Sequence, residues 1–173
     1  MLRYKDTNIV LQEIPGEITL VFTITGCSLN CKGCHSPYLW KKGTGNELSD
    51  DFIIELINKY KGIISCVLFM GGEWESDLVN KIKLCNDYGL KTALYTGLNL
   101  DEVESSNKEL LSVLSYIKVG RWIGELGGLS SITTNQRLIN LKTGSDIKIK
   151  KWDNFSLFVF KLTHNILFLL GLK

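Results

Sequence analysis

The stretch Glu17-Ile18-Thr19-Leu20-Val21-Phe22-Thr23-Ile24-Thr25-Gly26-Cys27-Ser28-Leu29-Asn30-Cys31-Lys32-Gly33-Cys34-His35 joins two unlike halves, and their junction decides the fold. In the first half Ile18, Leu20, Phe22 and Ile24 face one way, and Thr19, Val21, Thr23 and Thr25 face the other. A period of two built from β-branched and aromatic residues is the pattern of a strand. At Gly26 the alternation stops. From there to Thr44 the chain is rich in Gly, Cys and polar residues and reads as a long loop. Loops of this length are uncommon in a compact domain unless they carry function.

Downstream, the period changes to that of helices and back again. Asp50 to Tyr60 reads as a helix, with Ser49 as N-cap, Asp50 and Asp51 at the positive end of the dipole, and Gly62 at the exit. Phe52, Ile53, Leu56, Ile57 and Tyr60 make its apolar stripe. Ile63 to Met70 is a short apolar run, the signature of a strand buried on both faces. Glu75 to Tyr88 follows as a helix with Leu78, Ile82 and Cys85 inward and Gly89 as its stop. Lys91–Tyr95 reads as a strand, Leu100–Leu114 as a helix and Tyr116–Val119 as a strand, with a hairpin around Arg137–Leu141 and Ile147–Lys151.

Strands alternating with helices imply βαβ units, right-handed crossovers and an α/β fold with a mostly parallel sheet. The units are too few to close an eight-stranded barrel, so a partial, open βα barrel or an open sheet is expected. Ligands of such sheets bind beyond the carboxyl ends of the strands. The cysteine loop, Gly71-Gly72-Glu73 and Tyr95-Thr96-Gly97 all follow strands, so they are expected to meet at that edge. The 173-residue length fits a single domain over residues 1–152, followed by an apolar tail over 153–173 with no assigned role. The tail's stretch from Phe155 to Leu170 contains Lys161 and His164 and is too short for a membrane span.

Twenty basic residues against 18 acidic ones leave a net charge of +2, with no clustered basic face for nucleic acid. The run Lys148, Lys150 and Lys151 suits a solvated strand edge. The first residues carry no apolar stretch of a secretory signal. Five cysteines, three of them clustered, then read as metal binding or catalysis in a reducing, cytoplasmic compartment.

Cys27, Cys31 and Cys34 stand four and three residues apart, a spacing that wraps one corner of a cubane cluster with one thiolate per iron. The fourth iron has no cysteine nearby, and an open coordination position is where a substrate binds. Gly26 and Gly33 let backbone approach the sulfurs. Other readings compete. A Cys₃His zinc site would require adjacent Cys34 and His35 on one ion, or the distant His164. A ferredoxin-type carrier needs a fourth cysteine, yet Cys66 and Cys85 fall in expected core positions. Cys31-Lys32-Gly33-Cys34 matches a thioredoxin-like pair but leaves Cys27 unexplained.

These residues resemble the radical S-adenosylmethionine superfamily, marked by this three-cysteine spacing followed by a ring, here His35. Within it the likeness is to the activating proteins of glycyl radical enzymes, above all those of anaerobic ribonucleoside-triphosphate reductase. Gly26–Trp40, Met70–Glu73, Tyr95–Glu102 and Asn135-Gln136-Arg137 carry it. The resemblance implies a [4Fe-4S] cluster on Cys27, Cys31 and Cys34, with Gly33 and His35 beside it, that reductively cleaves S-adenosylmethionine. It implies that Gly71, Gly72 and Glu73 hold the methionine amino group, that Thr96 lies near the ribose, and that Lys118 meets the carboxylate. A bland reading stands beside these: a strand-to-helix turn for Gly71-Gly72, a solvated strand end for Lys118. Trp74 occupies a position where many relatives have proline, and Tyr38 and Trp40 are expected to pack against the cysteine loop. The implied partners are the reductase large subunit, whose glycine receives the radical, and a flavodoxin or ferredoxin as electron donor. No nucleic acid or membrane is implied. Rivals within the class are an activase of another glycyl radical enzyme and a small-molecule radical S-adenosylmethionine enzyme; the rival of another class is a cluster-bearing electron-transfer module without chemistry of its own.

Overall fold

A computed structural model describes residues 1–149. The apolar tail, with Lys150, Lys151 and His164, lies outside the described residues. The elements run β1 (Arg3–Val10), β2 (Thr19–Ile24), β3 (Asn46–Glu47), α1 (Asp50–Lys59), β4 (Cys66–Met70), α2 (Leu78–Asp87), β5 (Lys91–Tyr95), α3 (Leu100–Ser106), α4 (Lys108–Val113), β6 (Tyr116–Val119), β7 (Arg137–Asn140) and β8 (Ser145–Ile147).

All eight strands form one sheet in the order β3-β1-β2-β4-β5-β6-β7-β8. The four central strands β2, β4, β5 and β6 are parallel, as the βαβ pattern requires. The flanks are not: β1 and β3 on one side, and β7 and β8 on the other, pair antiparallel. The fold is α/β as expected, and its sheet is mixed, parallel at the centre and antiparallel at the flanks. For two of the four antiparallel pairs the physical reason is connection length. β1 to β2 and β7 to β8 are joined by chain too short for a crossover, and short links impose antiparallel pairing.

Helical elements cover one face. There Leu20, Phe22 and Ile24 meet Val67, Phe69 and Leu94 of the neighbouring strands and Ile53, Leu56, Ile57, Leu78, Ile82 and Cys85 of the helices. On the opposite face Val21, Cys66, Leu68, Ala93, Tyr116 and Leu138 form a second, smaller cluster with Ile14. Burial on both faces explains why β4 is almost purely apolar. Cys66 and Cys85 are fully buried, as small hydrophobes in the core. The Ser49 hydroxyl accepts the Phe52 N–H and caps α1 as its sequence indicates. The helix expected from Leu100 to Leu114 is two, broken at Asn107, whose side chain accepts the Leu110 N–H and starts α4.

At the amino ends of the parallel strands sits buried Glu17, 7% exposed. Its carboxylate accepts from Ser65 Oγ, Lys91 Nζ and Tyr116 Oη, tying β4, β5 and β6 to the start of β2. This network fixes the edge opposite the cysteine loop. No helix among the described residues is long and apolar enough to cross a membrane.

Candidate functional site

The carboxyl ends of β2, β4, β5 and β6 release four loops at one edge of the sheet. The first is the cysteine loop, pinned at its base where Gly26 N–H and Cys27 N–H both donate to Leu39 O, and Thr25 Oγ1 donates to Thr44 O. Between Cys27 and Cys31 the chain turns through Asn30 at φ +46°, a left-handed conformation that asparagine tolerates. Cys34 N–H donates to Cys31 O and closes the second turn. Ser36 N–H donates to Cys34 Sγ at 3.4 Å, the kind of amide–sulfur bond that supports a metal-bound thiolate.

The other loops lean on this one. Leu29 rests against Gly97 so closely that a Cβ there would collide with Leu29 Cδ1. Trp122, on the loop after β6, stacks on His35 with ring centroids 4.2 Å apart and a tilt of 53°. The Trp122 indole also approaches Gly33, where an added Cβ would stand 3.9 Å from Nε1. Trp74 packs between Gly26 of the cysteine loop and Gly71 of the turn after β4. The residues singled out from the sequence at strand ends thus share one neighbourhood, and two tryptophans that sequence reading did not assign hold them together. Tyr38 departs from its expected packing: it is 58% exposed.

Glu73 lies in that neighbourhood. Burial pushes its carboxyl above the ordinary range, opposed by the Thr96 hydroxyl bond and by Lys118. Thr96 Oγ1 donates to Glu73 Oε1 and accepts Leu98 N–H, so the structure turns Thr96 onto the glutamate. Glu73 Oε2 is buried and has no partner among the described residues. Gly71 N–H donates to Tyr95 O, and Gly72 O accepts Glu75 N–H, so part of the turn's backbone is already engaged. Burial raises the Cys27 thiol, and Glu73, Cys31 and Cys34 push it up further.

On the sheet face away from the helices a cavity of about 540 Å³ opens beside this edge, lined by Glu13, His35, Tyr95, Lys118, Trp122 and Gln136 among others. Lys118 is not the solvated strand end of the bland reading: burial brings its ammonium down to about 8, against the opposing pull of Cys31, Glu13 and Glu73. Its Nζ lies 5.9 Å from the Tyr95 ring centroid. Glu13 is a wall residue that nothing in the sequence marked. Gln136 Nε2 donates to Gly120 O and Asn135 Nδ2 to Arg121 O, so this pair fastens the loop after β6. Arg137 forks onto Asp146 across the hairpin.

The donor set fits an iron–sulfur cubane better than a single ion. Among the described residues no three of His, Cys, Asp and Glu converge closely enough to hold one metal ion. A cubane asks for something else, one thiolate per iron. All three cysteines are free and half-buried. As thiolates they would repel one another and Glu73, a load that an iron core neutralises.

Residues 15–139 match the family described as 4Fe-4S single cluster domain. The chain is also similar to the pyruvate formate-lyase-activating enzyme of Clostridium pasteurianum, 34% identical over 112 residues, which is 60% of this chain and 47% of that enzyme. The enzymes of the same name from Listeria monocytogenes serovar 1/2a and Listeria innocua are each 36% identical over 87 residues, 46% of this chain and 35% of theirs. The matched regions span less than half the length of these relatives.

Proposed function

Because the chain belongs to the 4Fe-4S single cluster domain family, we propose that it is a radical S-adenosylmethionine enzyme that activates a glycyl radical enzyme. The observation that carries the reading is the meeting of Cys27, Cys31 and Cys34 with the half-buried Glu73, whose inner oxygen has no partner among the described residues, at one sheet edge. Three thiolates on a four-iron cluster leave one iron for a chelating substrate. When bound and reduced, such a cluster supplies the electron that breaks a carbon–sulfur bond of S-adenosylmethionine.

The chain's own residues then have definite tasks. Glu73 Oε2 is an acceptor without a donor, matched to the ammonium of the substrate's methionine moiety, and Thr96 holds the opposite carboxylate oxygen in place. Lys118 faces the substrate carboxylate with an ammonium. His35 and Trp122 offer a pair of tilted rings beside Gly33 at the rim of the site. The cavity on the sheet face opposite the helices admits the partner's glycine loop, because hydrogen transfer needs the reacting atoms about 3–3.5 Å apart. This surface is in keeping with a partial, open barrel.

The partner we propose is the large subunit of anaerobic ribonucleoside-triphosphate reductase, on the resemblance of the cysteine, Tyr95–Glu102 and Asn135–Arg137 stretches. The electron donor is a flavodoxin or ferredoxin, in the cytoplasm. A second reading, a pyruvate formate-lyase as partner, is favoured by the names of the relatives. The test is anaerobic reconstitution with iron and sulfide, then electron paramagnetic resonance of the reduced protein with and without S-adenosylmethionine. A cubane signal that shifts with the ligand, with methionine released, supports the enzyme. A signal indifferent to the ligand points to an electron-transfer module. Incubation with either candidate partner then asks which acquires a glycyl radical doublet.

A further inference from the structure

Trp74 has a position that neither the cluster nor the substrate reading uses. It lies one residue beyond Glu73, half-buried, and packs against the main core. Its six-membered ring lies over Gly71: a Cβ there would fall 2.7 Å from Cη2 and 3.3 Å from Cζ3. Its pyrrole edge lies over Gly26, where a Cβ would fall 3.3 Å from Nε1. Both glycines hold positive φ, +85° at Gly71 and +96° at Gly26, which disfavours any side chain. One rigid ring therefore fills the space between the residue that precedes Cys27 and the turn that carries Glu73.

Resting on the function proposed above, we propose that Trp74 is a positioning residue: its indole is the spacer that sets Glu73 against the cysteine loop, and so couples substrate binding to the cluster. The argument is geometric. The cysteine loop and the Glu73 turn leave different strands, β2 and β4, whose register fixes only their backbone ends. Beyond those ends the separation depends on what fills the gap, and an indole has two χ angles and no internal freedom. Alanine at this place leaves the gap empty, and a small shift of a binding group is felt strongly in a preorganised site.

Two experiments test it on the full chain. In the first, Trp74→Ala and Trp74→Phe are reconstituted, assayed for iron and sulfide, and titrated with S-adenosylmethionine while the reduced cluster's resonance is recorded. The expected result is normal iron in both, at least tenfold more ligand for the half-maximal change in Trp74→Ala, and a value within about threefold of wild type in Trp74→Phe. Titration of Trp74→Ala like wild type overturns the proposal, as does loss of iron from both variants, which would make Trp74 part of the cluster's fold. A wild-type signal that ignores the ligand overturns the functional reading instead. The second experiment needs no cofactor. Gly71→Ala should lower the melting temperature more in wild type than in Trp74→Ala, because the added methyl meets the ring only when the ring is there. Equal losses in the two backgrounds overturn the spacer.

Discussion

The Thr96 hydroxyl donates to Glu73 Oε1 from the loop after the neighbouring strand, while Glu73 Oε2 stays buried with no partner among the described residues. One oxygen is thereby anchored and the other presented. A hydrogen bond to a charged group contributes about 1.5–3 kcal/mol. Thr96→Val keeps the shape and removes the donor, so the affinity for S-adenosylmethionine should fall roughly tenfold or more. Iron content should be unchanged. Ligand titration of the cluster resonance beside an iron assay checks both.

The five cysteines should divide three to two. Cys27→Ala, Cys31→Ala or Cys34→Ala should each abolish the reconstituted cluster. Cys66→Ala and Cys85→Ala should leave iron and sulfide per chain unchanged, while costing roughly 1–2 kcal/mol in denaturant melts for the lost packing. Loss of iron in Cys66→Ala would mean that the fully buried thiol is a ligand after all.

Lys118 supplies a pH dependence. Burial holds its ammonium down to about 8, so the free protein carries this charge below pH 8 and loses it above. Binding of the carboxylate-bearing substrate should therefore be strong at pH 7 and weaken as pH rises through 8, by up to about tenfold per unit. Lys118→Met should bind weakly at every pH and show no such slope. Titrations at four pH values between 6.5 and 9.5 decide it.

Glu17 supplies the opposite sign at the opposite edge. Burial alone would raise its carboxyl, but the bonds from Lys91, Ser65 and Tyr116 outweigh burial and hold it below the ordinary value of 4.5. The stability it contributes is therefore fully present above pH 4.5 and is lost as pH falls through its lower folded value. Glu17→Gln should cost about 1–3 kcal/mol at pH 7 and flatten the acid limb of the stability curve. Chemical denaturation between pH 3 and 7 measures it.

What could be read from the chain, and what could not, follows from where the signals reside. β5 and β6 were legible to the residue, since each is a short run with β-branched or aromatic residues between turn signals, Gly89 and Gly97 around the one and Ser115 and Gly120 around the other. β1 was not. A bulge between Tyr4 and Asp6 interrupts its alternation, and one face of Arg3–Val10 stays partly wet. The break at Asn107 had a signal that helical periodicity masked: Ser105-Ser106-Asn107 is a run of poor helix formers ending in a favoured N-cap. At the site, the spacing of Cys27, Cys31 and Cys34 is local and could be read as such, whereas Gly71-Gly72-Glu73 was named on the family resemblance. Trp122 and Glu13 act through residues remote in sequence, and Trp74 joins the nearby Gly71 to the remote Gly26, contacts that no local pattern records.

The cysteine loop leaves the sheet at Thr25 and returns to the same point at Thr44, where one hydroxyl bridges its two ends. A segment closed at its neck leaves the strand pairing beneath it alone, while its inner side stays packed against Gly97, Trp122 and Trp74. Lengthening it is entropically gentle, about 0.6 kcal/mol for a doubling. Insertions at its tip should leave strand pairing undisturbed, so the fold can exchange this metal-bearing excursion for a longer or differently decorated one without being redesigned around it.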